Sequence, residues 1–493
     1  MAGPKPQRST LDLRILKPLL RAYLFGYLSS TGPRLLNLLA AALRGKQSTS
    51  DSVQRLYLIL RQAAALNRFP TFCGILVGGT TLLQVPLAEV LSYLAKELRR
   101  KRLLQYHAGT IGTASRFLAT LVAASVSFSI LNRRGGDNGI SNVSAQSIPL
   151  PALAMSSHTM APTPPKLAGK TMDLTLFALI RALDIAVGTL WSSHLRRRHS
   201  TNPLTATEAL PAHMADPLVF ATSSAIIMWS WFYAPHRLPR AYNAWISSAA
   251  RVDGRLIEAL RQARYGNFVY GRDTGQAPLL QAMCVDYGWP LAWGDPAQTV
   301  PIPCEMVHMG AGPNCHYHAV VRFARSWLAA MKLYAPLNVV VLARLSRRRK
   351  LSLHDVAQHA LDATRSAAFL AAFIALFYYG VCLSRTRLGP RLLSARTVTP
   401  MMWDSGLCVG AGCALCGAAV LVEQASRRTE IALFVAPRAA ATVLPRRYDA
   451  RYRWREQAVF AISAAVVFTV AGERPERVRG VLGGLLQGVL STG

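Results

Sequence analysis

Acidic residues are scarce in this chain. Of 493 residues only 24 are Asp or Glu, against 56 Lys and Arg, which leaves a formal net charge of +32. Total charge is low as well, at 16%, while apolar residues make up 51% and mean hydropathy is positive. That balance is wrong for an ordinary soluble domain, and the chain is too long for one soluble core. Cysteine is also sparse: eight in so long a chain do not make a disulfide scaffold. Cys73, Cys382, Cys408, Cys413 and Cys416 lie in apolar runs, where cysteine acts as a small hydrophobe. A phosphate loop, a dinucleotide fingerprint, a nucleophile elbow and a zincin motif are all missing, so nothing points to an enzyme. The opening residues lack a secretory pattern, and the ending Ser491-Thr-Gly493 carries no prenylation, retention or peroxisomal tripeptide signal.

What charge there is comes in clusters: Lys96–Arg102, Arg196–Arg198, Arg344–Lys350 and Arg446–Arg455. These read as loop ends beside anionic lipid headgroups, where each cation gains roughly 1 kcal/mol. No nucleic-acid-binding motif accompanies them. The first fifty residues are basic, with Asp12 as their single acid, in the manner of a mitochondrial transit segment. Pro18 and Pro33 interrupt that pattern, and Tyr23-Leu-Phe-Gly-Tyr27 suits an interfacial helix. Residues 11–43 are expected to form one or two short amphipathic helices lying on a membrane, since neither run reaches the roughly 20 apolar residues of a span.

Longer apolar runs predict eight membrane segments, at about residues 63–83, 112–131, 172–191, 218–233, 366–383, 406–422, 431–444 and 457–471. The first carries Gly74, Gly78 and Gly79, the sixth Gly406, Gly410 and Gly417. Small residues at helical spacing let backbones approach, so these are expected packing faces. Cys413-x-x-Cys416 sits in the same apolar setting and reads as packing. Arg181 and Asp184 lie inside the third run at i, i+3, a spacing that lets them pair. Together with Arg438 they are candidates to face a bundle interior, because isolated charges in a bilayer are expensive.

Three motifs recur in order. Arg61-Gln-Ala-Ala, Leu176-Phe-x-x-x-Arg181-Ala and Val219-Phe-Ala-x-Ser223 return as Arg365-Ser-Ala-Ala, Leu433-Phe-x-x-x-Arg438-Ala and Val459-Phe-Ala-x-Ser463. They suggest a duplicated membrane unit, as in many transporters and channels. On this reading the chain is all-α and polytopic. A basic N-terminal segment (1–60) precedes a first repeat (61–234, with a disordered insert at 132–170). An extramembrane Cys/His region (235–350) then leads to a second repeat (351–493).

Within the extramembrane region, 240–264 reads as one amphipathic helix, and 320–345 as a helix lying against the membrane rather than crossing it. Cys304, His308, Cys315, His316 and His318 are the dense set of soft ligands, and a tetrahedral structural zinc would suit four of them. A disulfide joining Cys304 to Cys315 or Cys284 is the alternative, as is ordinary buried packing. A membrane-bound metalloenzyme using His308, His316 and His318 is the enzymatic rival, with His354 and His359 as a distant echo of a His-rich box. A scaffold shaping organelles or their contacts is the other.

Leu238-Pro-Arg-Ala-Tyr-Asn-Ala-Trp-Ile246, Pro303-Cys-Glu-Met-Val-His308 with Cys315, Lys332-Leu-Tyr-Ala-Pro-Leu-Asn338, and Ser426-Arg-Arg-Thr-Glu-Ile-Ala-Leu-Phe434 with Pro437-Arg438 together resemble the fungal relatives of transmembrane protein 135. The resemblance covers most of the chain from about residue 60, apart from the insert. It implies a Cys-rich domain, distant similarity to the mitochondrial inner-membrane translocase and peroxisomal membrane protein group, and a place in mitochondrial or peroxisomal membranes. It also implies a part in lipid or sterol homeostasis, with no catalytic residue to carry over; the expected partners are the lipid bilayer and a homo-oligomer or membrane complex. The expected function is thus non-enzymatic transport, translocation or lipid handling.

Overall fold

A computed structural model describes residues 13–44, 49–100, 108–133, 167–198, 206–347, 351–394 and 396–490. The insert expected at 132–170 falls largely outside them. Helices follow one another almost without interruption: α1 (Leu13–Leu43), α2 (Thr49–Ala63), α3 (Phe69–Arg100), α4 (Ala108–Leu131), α5 (Met172–Arg198) and α6 (Ala206–Tyr233). Next come α7 (Arg240–Ala250), α8 (Gly254–Tyr265), α9 (Ala277–Tyr287), α10 (Cys304–Val307), α11 (Cys315–Ser346) and α12 (Leu353–Cys382). The chain then runs through α13 (Gly389–Leu392), α14 (Pro400–Met402), α15 (Cys408–Cys416), α16 (Ala425–Val443), α17 (Arg453–Glu473) and α18 (Val481–Leu490). A two-residue antiparallel pair, Leu167–Ala168 with Tyr448–Asp449, is the sheet among the described residues.

Seven of these helical segments are long and apolar enough to cross a membrane: Phe69–Leu98, Gly109–Leu131, Met172–Arg197, Cys315–Ser346, Leu353–Arg387, Pro400–Val422 and Ala450–Glu473. The chain is an all-α polytopic membrane protein. Six of the seven overlap segments read from hydropathy. The seventh, α11, does not: it was expected only to lie against the membrane, because Lys332 and Pro336 interrupt it. It is one continuous helix with Leu328, Leu333, Leu337 and Val340 exposed, and a long lysine stem can carry its charge toward an interface. The runs at 218–233 and 431–444 do form helices, α6 and α16, but neither is among the segments apolar enough to cross a membrane.

Two further expectations are corrected locally. The N-terminal stretch is a single 31-residue helix, α1, with Pro18 and Pro33 inside it and no segregated apolar face. The expected helix over 240–264 is two. Arg251 adopts a left-handed conformation (φ 49°), and Asp253 restarts the chain as the cap of α8, accepting from Arg255 N at 2.9 Å. Local caps begin the longer helices too. Asn314 accepts from His316 N and Tyr317 N at the head of α11, and Ser352 with Asp355 forms a capping box on α12.

The chain divides into two packing units, one formed by 1–201 with 446–493 and the other by 202–445. In the first, α1 packs on α3, α3 on α4, α4 on α17 and α17 on α5. Phe72, Phe128 and Phe460 stack at its centre, with Phe128 and Phe460 rings 5.4 Å apart. In the second, α11 packs on α12, α12 on α15, α15 on α6 and α6 on α16. Beside that bundle, α8, α9 and α10 close over a small core of Phe268, Leu280, Met283 and Met306. These are units of packing; whether the sequence is duplicated is a separate question of internal symmetry.

Glycine sets the close approaches. A Cβ at Gly78 would lie 2.5 Å from Leu19 of α1, and one at Gly79 would lie 2.8 Å from Ala123 of α4, so α3 is thinned on both sides. Gly417 meets Ala221 of α6 in the same way, and Gly380 and Gly412 let α12 and α15 cross with backbones touching. Gly74 and Gly410 have more room, their nearest neighbours being Tyr23 at 3.5 Å and Trp229 at 3.8 Å. Gly406 serves a different purpose, taking φ 152° between α14 and α15, a conformation that favours glycine.

Candidate functional site

The Cys/His region folds so that part of the sequence cluster converges. Cys304 opens α10 and His308 closes it. Gly310 and Gly312, both at positive φ, then turn the chain back, so that Cys315 becomes the first residue of α11. Ligand atoms of Cys304, His308 and Cys315 all lie within 4.8 Å of one another, a group that can hold a metal ion. His308 Nδ1 lies 2.6 Å from Gly312 O, so Nδ1 carries the proton and donates it, which leaves the Nε2 lone pair available. Nε2 points at Cys382 Sγ, 3.2 Å away at the end of α12, and Cys382 is also within hydrogen-bonding reach of Cys315.

The chemistry of these donors fits a thiophilic divalent ion. Burial lowers the pKa of His308, which keeps the imidazole neutral as a ligand must be. Burial pushes the Cys304 thiol up to about 11, with the neighbouring Cys315 adding to the shift. Such a thiol stays protonated until a metal displaces the proton.

The remaining sequence candidates lie elsewhere. His316 is exposed and pairs through Nδ1 with Tyr379 OH at 3.0 Å. His318 is 1% exposed and stacks on His308, ring centroids 4.3 Å apart, but neither of its nitrogens finds a hydrogen-bond partner among the described residues. The three histidines of the metalloenzyme reading therefore do not share one focus. All eight cysteines are free thiols, so the Cys304–Cys315 and Cys304–Cys284 disulfide alternatives are not formed. Cys416 Sγ donates to Cys413 O at 3.2 Å inside the apolar core, and His354 contacts Gln358 on an exposed face.

Arg181 and Asp184 do not pair with each other. Both turn to Arg479: Arg181 Nη1 donates to its carbonyl at 3.0 Å, and its guanidinium grips Asp184, with Nε at 3.2 Å from Oδ2. Arg181 is 5% exposed and also lies over Phe177. In the other unit, Arg438 lies 3.6 Å over the Phe434 ring and donates to Phe434 O at 2.8 Å. It borders an apolar cavity of about 420 Å³ walled by Phe220, Met228, Trp231, Phe369, Phe373 and Phe377.

Sequence reasoning missed three buried acids, Asp404, Glu456 and Glu423, the last accepting from Ser366 Oγ at 2.9 Å. Asp404 is fully buried and takes both Nε and Nη2 of Arg385, the latter at 2.8 Å, along with the hydroxyl of Tyr270. Arg385 also donates to Ile302 O at 3.0 Å, which ties the segment before α10 to the ends of two spanning helices. Glu456 accepts from Thr171 at 2.6 Å, from Thr175 at 3.1 Å and from Tyr448. The available signal was a lone acid at the mouth of an apolar run, which spacing alone cannot match to a partner.

Residues 301–446 match a family model described as the N-terminal cysteine-rich region of Transmembrane protein 135. That segment carries Cys304, Cys315, Cys382, Cys408, Cys413 and Cys416, and so contains the whole metal-competent group. No match was found among curated proteins or among solved structures.

Proposed function

We propose that the chain, whose residues 301–446 match the cysteine-rich region of Transmembrane protein 135, is a member of that family and a non-enzymatic component of a mitochondrial or peroxisomal membrane that accepts the apolar chain of a lipid. The observation that carries this reading is the phenylalanine-walled cavity bordered by Arg438. Its wall offers hydrocarbon contacts and few polar groups, which suits an acyl or sterol body. A photoactivatable fatty-acyl lipid, added to the full chain in vesicles, should crosslink to it. Ser224→Trp, which fills the cavity from α6, should suppress crosslinking while the gel-filtration profile stays unchanged. Equal labelling of both proteins would end the proposal.

The reading extends to the architecture and to a metal. The duplicated motifs support two repeats that exchange their last helix. Leu176 and Arg181 lie on α5, Leu433 and Arg438 on α16; Val219–Ser223 lies on α6, Val459–Ser463 on α17. The packing orders α1-α3-α4-α17-α5 and α11-α12-α15-α6-α16 then correspond helix for helix, with α6 and α17 each serving the opposite half. Phe220 and Phe460, Ser223 and Ser463, and Leu176 and Leu433 are buried alike. Three residues before each Val, an acid takes a threonine hydroxyl: Asp216 from Thr429, Glu456 from Thr171 and Thr175. The third motif does not align this way, since Arg61 sits on the separate α2 and Arg365 in the middle of α12. Co-expressed as separate chains, residues 1–234 and 235–493 should purify together, and halves that fold apart would refute the exchange. Cys304, His308, Cys315 and Cys382 would hold a structural zinc, with Gly312 O orienting the imidazole.

A further inference from the structure

We propose that the 202–445 unit binds an anionic phospholipid, seating its phosphate in a basic chamber beside the apolar cavity; this rests on the lipid-handling reading and adds the headgroup. The chamber, of about 400 Å³, is lined by Arg251, Arg322, Arg325 and His318. No Asp or Glu lines it. Nor does any carboxylate pair with these three arginines among the described residues. Three guanidinium groups facing one space without a counter-charge repel one another, and an anion relieves that repulsion.

The arrangement is built rather than incidental. Arg322 donates to Ala250 O and Arg251 O, each at 3.2 Å, and lies 4.3 Å over the Tyr378 ring. It thereby holds the left-handed turn that carries Arg251 to the chamber. His318 sits at the back, 1% exposed, gripped between His308 and the edge of Tyr378. A buried ring with two unpartnered nitrogens is costly, and a phosphate oxygen or hydroxyl supplies what it lacks. Arginine is the side chain best matched to phosphate, through its planar fork of donors.

The chamber alone would suit any small anion. What makes the ligand an amphiphile is the shared wall: Trp245, Ala249, Leu333, Leu370 and Ile374 line both the chamber and the apolar cavity. One molecule can therefore keep its phosphate among the arginines and its chain among the phenylalanines.

The test uses the purified full chain in detergent, with binding read by native mass spectrometry. The probes are dihexanoyl phosphatidic acid, dihexanoyl phosphatidylcholine and inorganic phosphate. The phosphatidic acid should bind at least about tenfold more tightly than either other probe, the factor expected of one charge-assisted hydrogen bond. Arg325 is exposed and forms no salt bridge among the described residues, so Arg325→Gln leaves the packing intact. That variant should lose about tenfold for phosphatidic acid and leave phosphatidylcholine unchanged. His318→Phe, which keeps the ring stack, should weaken phosphatidic acid in the same selective way. Equal binding of the two lipids, or indifference to Arg325→Gln, overturns the headgroup site while leaving the apolar cavity standing. Phosphate binding as tightly as phosphatidic acid makes this a free-anion site and refutes the lipid. Binding of neither lipid removes the lipid-handling reading and this proposal together.

Discussion

Replacing Asp404 should be among the most damaging single changes in the protein. Its carboxylate is fully buried and satisfied by Arg385 and Tyr270, with Cys408 Sγ at 3.9 Å. Asp404→Ala leaves the Arg385 guanidinium, whose side chain is 4% exposed, with the Ile302 carbonyl as its remaining hydrogen-bond acceptor among the described residues. Breaking a buried pair in this way costs about 3–5 kcal/mol, because the surviving charge is uncompensated. For a unit of this size each kcal/mol moves the unfolding midpoint by about 2–4 °C, so the drop should be on the order of 6–20 °C. The assay is thermal unfolding of the detergent-purified chain, followed by size-exclusion recovery. The companion variant Arg385→Met with Asp404→Leu replaces the pair by apolar groups of similar size. Since buried pairs are often no more stabilising than hydrophobic packing, the double variant should recover most of the loss. A single variant within about 3 °C of wild type, or a double variant worse than the single, would refute the reasoning.

Two other expectations follow from the Cys/His group and from the start of α8. The purified chain should carry stoichiometric zinc by plasma mass spectrometry, and Cys304→Ser, His308→Ala and Cys382→Ser should each abolish it. Retention of zinc in Cys382→Ser would remove Cys382 from the ligand set. Asp253 caps α8, and its carboxyl is held below the usual range chiefly by the Arg255 side chain. Its stabilisation is therefore fully present above the ordinary carboxylate pKa near about 3.9 and is lost as pH falls through the lower folded value. Asp253→Asn, which keeps a capping oxygen, should flatten that acid limb in unfolding midpoints followed from about pH 6 to about pH 3; an unchanged slope would discount the cap as its source.

Hydropathy found most of the membrane helices because length and apolar content are local properties. The sites were legible only where chemistry and contact were both local. Cys304, His308 and Cys315 lie on one short turn and were found together; Cys382, 74 residues from His308, was read as core packing. Arg181 and Asp184 share a helix face, yet both reach Arg479, close to 300 residues on. Spacing says which side chains can meet on one helix, not which helix arrives to meet them. The proposed duplication sharpens this point. The α6 and α17 motifs bury the same Phe and Ser positions, and each is preceded by an acid that takes a threonine hydroxyl, so either helix carries the local pattern for either bundle. Partner choice must then come from what differs. Glu456 reaches Thr175 of α5, Thr171 just before it and Tyr448, whereas the shorter Asp216 side chain takes Thr429 of α16. Gly417 lets α6 approach at Ala221, where a Cβ at 417 would lie 2.5 Å from the alanine methyl. Such choices rest on single atoms at the crossing points, which a hydropathy pattern does not encode.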